Sequence, residues 1–158
     1  MPSEPSSPDL AHLLSHAERR LGRRLAVVLA EEGCSVEEGC SVEEWRVLSA
    51  VADGQGHPMS EIADHALMPA PTVTKLVDRM VAGNLVYRRP DPGDRRRVLL
   101  HLTARGRILQ QRAAHRVHSD QTRLLDAIGD QGKLAQLLPL LAATVDGLPA
   151  VAPSRPHR

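Results

Sequence analysis

The chain has 158 residues, 42% hydrophobic and 25% charged, the balance of one globular domain with its own core rather than of a disordered chain. No apolar run approaches the roughly 18–20 residues of a membrane span, and residues 1–9 lack the basic-then-apolar start of a signal peptide, so a soluble, cytoplasmic protein with no membrane partner is expected. The net charge is only +1, and one Trp, one Tyr and no Phe leave almost no platform for stacking single-stranded bases; a Leu/Val/Ile/Ala core favours helices packed on helices.

Residues 1–8 and 148–158 are Pro- and Ser-rich and read as loose tails. Leu10, Leu13, Leu14, Ala17, Leu21, Leu25, Val28 and Leu29 recur at helical steps, predicting a first helix of about five to six turns with Ser7 as N-cap and Pro8 at its first position. The hexapeptide EEGCSV then stands twice, at residues 31–36 and 37–42, a duplication far too short for a repeat architecture. Each copy offers a capping box, Ser35 with Glu38 and Ser41 with Glu44. The second leads directly into Trp45, Leu48 and Ala52, so the next helix is expected there, Trp45 in the core and the first copy as added loop.

After Gly54, Gly56 and Pro58, residues 60–66 read as a short helix with Ile62, Ala63 and Ala66 inward. A further helix is expected over 70–82, with Val73, Leu76, Val77, Met80 and Val81 buried and Thr72, Thr74, Lys75, Asp78 and Arg79 outward, stopped by Gly83–Asn84. The period then changes to two: 85–89 and 98–102 read as strands joined by Pro90-Asp91-Pro92-Gly93-Asp94 and Arg95–Arg97. Thr103 is expected to cap a long helix to about Ile128, and 130–147 to form a last helix kinked at Pro139.

The small net charge conceals a segregation. Residues 75–107 hold nine basic side chains against three acidic ones, a balance of +6 against −5 for the rest, the footprint of a polyanion-binding face. Two short helices followed by a two-stranded hairpin describe a winged helix-turn-helix, mainly α with a small β wing and flanked by N- and C-terminal helices. The second short helix would enter the major groove of duplex DNA, and a wing arginine suits the negative, narrow minor groove. Candidate DNA contacts are therefore Thr72, Thr74, Lys75 and Arg79 on the helix, and Arg88, Arg89, Arg95, Arg96 and Arg97 on the wing; Asp78 is expected to orient Arg79.

The segments Ser60-Glu-Ile-Ala-Asp, Thr72-Val-Thr-Lys-Leu-Val-Asp-Arg-Met, Leu85 to Arg96 and Leu102-Thr-Ala-Arg-Gly resemble the MarR family of transcriptional regulators, closely from Trp45 to Gly106. The resemblance implies an obligate homodimer with interlocked terminal helices, acting as a repressor on a pseudo-palindromic operator and released by a small ligand or metal. It also implies that Arg95 or Arg96 inserts into the minor groove with Asp94 as brace. Pro69 and Pro71 stand where members often carry Ser or Thr. The corresponding organisation is a tail (1–8), an N-terminal dimerisation helix and loop (9–42), a DNA-binding lobe (43–103), C-terminal dimerisation helices (104–147) and a tail (148–158).

No cofactor is required on this reading, although histidines and cysteines raise the question of zinc. His12/His16 and His115/His118 are spaced for one helix face. The chain is similar in part to the zinc-responsive branch of the family, which implies Cys34 or Cys40, Glu44 and His115 as ligands, with His118 nearby; Trp45 and Gln111 stand where that branch has two further histidines. Redox sensing is disfavoured because Glu37, Glu38, Glu43 and Glu44 surround Cys40 in sequence. No nucleophile elbow, phosphate loop or dinucleotide fingerprint is present, so no enzyme is expected. The rival reading is a helical interaction module whose basic wing binds an acidic partner protein.

Overall fold

A computed structural model describes residues 9–30, 40–129 and 132–147. Its elements run α1 (Leu10–Ala30), α2 (Val42–Ala50), β1 (His57–Pro58), α3 (Met59–Ala66), α4 (Ala70–Ala82), β2 (Val86–Pro90), β3 (Val98–Leu102), α5 (Ala104–Ile128) and α6 (Lys133–Gly147). Two compact units divide the chain, residues 1–119 and 120–158.

In the first unit, α1 starts on Asp9, whose carboxylate accepts from the N–H groups of Ala11 and His12 at 3.0 and 3.2 Å. Asp9 therefore caps the helix that Ser7 was expected to cap; Ser7 and Pro8 lie outside the described residues. Only Leu29 of the α1 apolar stripe is buried, and Leu10, Leu13, Leu14 and Leu21 stay exposed. Leu29 packs with Ala113 and Val117 of α5, with Leu25, Val28, Val42 and Trp45 around them.

Helix α2 begins at the second hexapeptide copy as expected. Ser41 Oγ accepts from the Glu44 N–H at 3.1 Å and Glu44 Oε2 accepts from the Ser41 N–H at 3.0 Å, so two otherwise orphaned donors are satisfied reciprocally. The first copy's Ser35–Glu38 pair lies outside the described residues. Val47, Leu48 and Val51 are buried against Ile62 and Ala63 of α3 and Val73, Leu76, Val77 and Met80 of α4, and Val86, Leu100 and Leu102 from the sheet complete this core. Trp45 borders both clusters, half-buried and joining them. Val81, expected inside, is exposed: it lies next to Met80 and beyond the edge of the stripe.

The end of α4 is sharper than the sequence suggests. Asn84, not Gly83, takes the left-handed conformation, with φ +56°; the Leu85 N–H reaches back to the Met80 carbonyl at 2.9 Å, closing the helix and turning the chain into β2. The sheet has three antiparallel strands in the order β1-β3-β2, and in its wing pair Val86 lies opposite Leu102 and Pro90 opposite Val98. Strand β1 was not expected, its two residues being too few to show an alternating period.

Thr103 starts α5 as expected: its Oγ accepts from the Gly106 N–H at 2.9 Å and its hydroxyl donates to the Asn84 carbonyl at 2.7 Å. In the second unit α6 begins at Lys133, later than expected, and keeps Pro139 in its interior. None of its residues is buried, and Leu137, Leu138, Leu140 and Val145 are exposed. Among the described residues no helix is long and apolar enough to cross a membrane.

Candidate nucleic-acid interface

Helices α3 and α4 are joined by a tight turn. Leu67 sits in the left-handed region at φ +55°, its N–H and that of Met68 returning to carbonyls at the end of α3. Pro69 opens α4 without a side-chain cap; its carbonyl accepts from the Thr72 and Val73 N–H groups at 2.9 and 3.1 Å. Four apolar side chains, Val73, Leu76, Val77 and Met80, fix the inner face of α4 in the core, so the opposite face must point outward.

That outer face carries Thr72, Thr74, Lys75, Asp78 and Arg79, all exposed. Thr72, Lys75 and Arg79 line a concavity of about 250 Å³, floored by Met68 and Leu76 and flanked by Ser41 and Glu43 of the α2 start. The Thr74 hydroxyl instead donates to the Ala70 carbonyl at 2.9 Å, within its own helix, leaving only acceptor capacity for a ligand. Asp78 does not orient Arg79. It accepts a charge-assisted bond of 2.7 Å from Arg88 Nη2, tying α4 to β2 because the side chain reaches across to the wing rather than along the helix.

The wing loop is closed by its backbone and two aspartates. The Asp91 N–H donates to the Arg97 carbonyl at 2.9 Å, and Asp91 Oδ1 accepts from the Gly93 N–H at 2.8 Å. Asp94 Oδ1 accepts from the Arg96 N–H at 3.0 Å and the Asp94 carbonyl from the Arg97 N–H at 2.9 Å. Asp94 therefore braces the loop through main-chain bonds, the Asx-turn device, while Arg95 and Arg96 extend into solvent with Arg89. Arg97 Nη2 lies 3.9 Å from Glu61 Oε1 of α3.

Among the described residues no three His, Cys, Asp or Glu side chains are placed to hold a metal ion. Cys40 is buried and its thiol donates to the Ser41 carbonyl; Glu44 is held by the capping box. Cys34 lies outside the described residues. His115 borders a cavity of about 470 Å³ with Gln111, Arg112 and Arg116.

Sequence reasoning missed the side chains around β1. His57 bridges Asp53 and Glu61, and the His101 ring stacks on Tyr87 with centroids 5.3 Å apart. The spacing of Asp53, His57 and Glu61 in steps of four was a visible signal, hidden because the three belong to a turn, a strand and a helix rather than to one helix face.

Two short helices about a left-handed turn, the second presenting an exposed basic face, followed by a small sheet with an arginine-tipped loop, define a winged helix-turn-helix fold. Residues 39–97 match the model of the MarR family. The transcriptional repressor NicR of Pseudomonas putida is 27% identical over 101 residues, 64% of this chain and 63% of NicR, so the match spans less than two thirds of that relative. The repressor CouR, solved bound to a 23-mer DNA duplex, is 26% identical, with a TM-score of 0.64 over 90% of this chain and 99% of CouR. NadR, solved with 4-hydroxyphenylacetate, shares the fold at a TM-score of 0.74 and 22% identity over 94% of this chain and all of NadR. The similarity to the MarR family rests on residues 39–97, and the wider chain shares the fold of solved transcriptional regulators.

Proposed function

We propose that this regulator is a cytoplasmic homodimeric repressor that reads a pseudo-palindromic operator in duplex DNA and is released by a small organic ligand. The observation that carries the reading is the joint exposure of the α4 basic face and the Arg95–Arg96 wing tip, in a segment of charge +6. Thr72, Lys75 and Arg79 supply groove and phosphate contacts, with Thr74 contributing through its acceptor lone pairs. Arg95 or Arg96 enters the minor groove, where a narrow, negative channel favours guanidinium. Arg89 and Arg97 lie along the same wing for the phosphate backbone, and Arg88, held by Asp78, couples helix to wing.

Dimerisation is supported by apolar side chains that have no cover within one chain: Leu10, Leu13, Leu14 and Leu21 on α1 and Leu137, Leu138, Leu140 and Val145 on α6. A stripe of that kind marks an association surface. The cavity beside Arg112, His115 and Arg116 offers cations to an anionic organic effector, and NadR, with the same fold, was solved with a carboxylate of this kind. Zinc is left out of the proposal, since among the described residues no three His, Cys, Asp or Glu side chains are grouped to hold a metal ion.

Hydroxyl-radical footprinting on a duplex from upstream of the regulator's own gene tests the dimeric reading. Two protected half-sites are expected, about 10 base pairs or roughly 34–36 Å apart, as two symmetry-related recognition helices require. Minor-groove protection is expected at the outer edge of each half-site, unchanged by EDTA. A single protected segment without two-fold symmetry would contradict it.

A further inference from the structure

Asp53, His57 and Glu61 come from three successive pieces of chain: the turn after α2, strand β1 and the first turn of α3. The His57 ring lies between the two carboxylates. Nδ1 is 3.0 Å from Glu61 Oε2, and Nε2 is 2.9 and 3.0 Å from the two oxygens of Asp53. A neutral imidazole has one N–H and one lone pair, so it can donate to only one of these acceptors and must turn its lone pair on the other. Only the imidazolium donates to both at once. The arrangement therefore favours the protonated ring over the neutral one.

The cluster sits at the edge that supports the wing. The His57 backbone pairs with Leu100 and that of Pro58 with Leu99, both on β3, and β3 begins directly after Arg95–Arg97. Glu61, one of the two anchors, is also the carboxylate nearest Arg97, at 3.9 Å. The groups on His57 are Asp53 of the turn and Glu61 of α3, with Arg97 behind Glu61, while His101 of β3 lies against the neighbouring Gly56. The His101 ring covers Gly56 so closely that a Cβ there would strike it.

We infer that His57 is a positioning residue for the wing: its doubly donating form clamps the start of α3 to the β1 edge and thereby sets β3 and the arginine loop, and loss of the ring proton releases that clamp. The inference rests on the DNA-binding reading of the wing. Hydrogen bonds first to Glu61 and then to Asp53 raise the His57 pKa above the ordinary 6.5. The Gln55 N–H and His57 hold the Asp53 carboxyl below its ordinary 3.8. For a raised histidine, the stabilisation is complete below the unfolded value and disappears as pH rises through the folded one. The wing is thus held firmly below the raised His57 value and loosened as pH rises through it. Half-exposed carboxylates keep the effect modest through solvent screening.

The test combines histidine-ring and backbone-amide NMR spectra from about pH 5.5 to 9 with fluorescence anisotropy on the operator duplex. His57 is expected to titrate above 6.5, with the amide signals of Arg95–Arg97 moving at the same midpoint. Its midpoint should fall in Glu61→Gln, whose amide is neutral. Operator affinity is expected to drop about fivefold across that midpoint, and His57→Gln should remove the step while leaving binding at the high-pH level. His57 titrating at or below the ordinary value, wing amides that ignore it, or the same affinity step in His57→Gln would each overturn the inference with DNA binding intact. Absence of specific duplex binding at every pH would instead defeat the DNA-binding reading, and the resonance comparison would still decide whether His57 sets the wing.

Discussion

Replacing Arg95 and Arg96 together by alanine is expected to weaken operator binding at least about 30-fold. Two lost contacts at about 1 kcal/mol or more apiece multiply to that factor. Both side chains are exposed, and the bonds that shape the loop run from Asp91 and Asp94 to main-chain N–H groups, so the wing should keep its form in the variant. The salt dependence separates this loss from general damage. Each phosphate no longer neutralised removes about 0.9 from the slope of log affinity against log salt, so the double variant should show a slope shallower by about one to two. Thermal unfolding unchanged from the parent, with affinity unchanged as well, would remove the wing tip from the interface.

The largest effect on stability is expected at Gly106. A Cβ built there would fall on the Leu85 carbonyl oxygen and within 2.8 Å of its carbonyl carbon and 3.3 Å of its Cα. Those are backbone atoms, and they cannot step aside. Leu85 is held on one side by its N–H bond to Met80, which ends α4, and its carbonyl accepts from the Thr103 N–H at 3.1 Å as α5 begins. The end of the recognition helix, the first strand of the wing and the start of the long helix therefore meet at one point. Gly106→Ala should cost about 3 kcal/mol or more, at or above the upper end of overpacking losses, read as a lower urea midpoint at equal slope. A midpoint equivalent to a loss under about 0.5 kcal/mol would show that α5 does not approach Leu85 so closely.

Features that rest on periodicity or on a local cap were legible in the sequence. The α4 stripe, the wing strands, the Ser41–Glu44 box and the Thr103 cap all depend on residues within a few positions of one another, and hydrophobic spacing reports them directly. Features that depend on which of two neighbours relaxes were not. Asp9 caps the α1 start, its carboxylate reaching two N–H groups. Asn84 rather than Gly83 takes the left-handed turn, the short amide side chain tolerating that conformation. Contacts between elements were also hidden: nothing in the local pattern says that Asp78 turns to Arg88, ten residues on, or that His57 joins carboxylates from two other pieces of chain.

The measurement closest to the central claim is fluorescence anisotropy of the purified regulator on duplex DNA from upstream of its own gene, titrated across salt beside a scrambled duplex of the same composition. Specific recognition by α4 and the wing predicts binding at least about 10³-fold tighter than to the scrambled duplex at physiological salt. It also predicts log affinity falling steeply and linearly with log salt. Equal affinity for the two duplexes at every salt concentration would contradict sequence-specific recognition, and a flat salt response would contradict a phosphate-binding role for the basic segment.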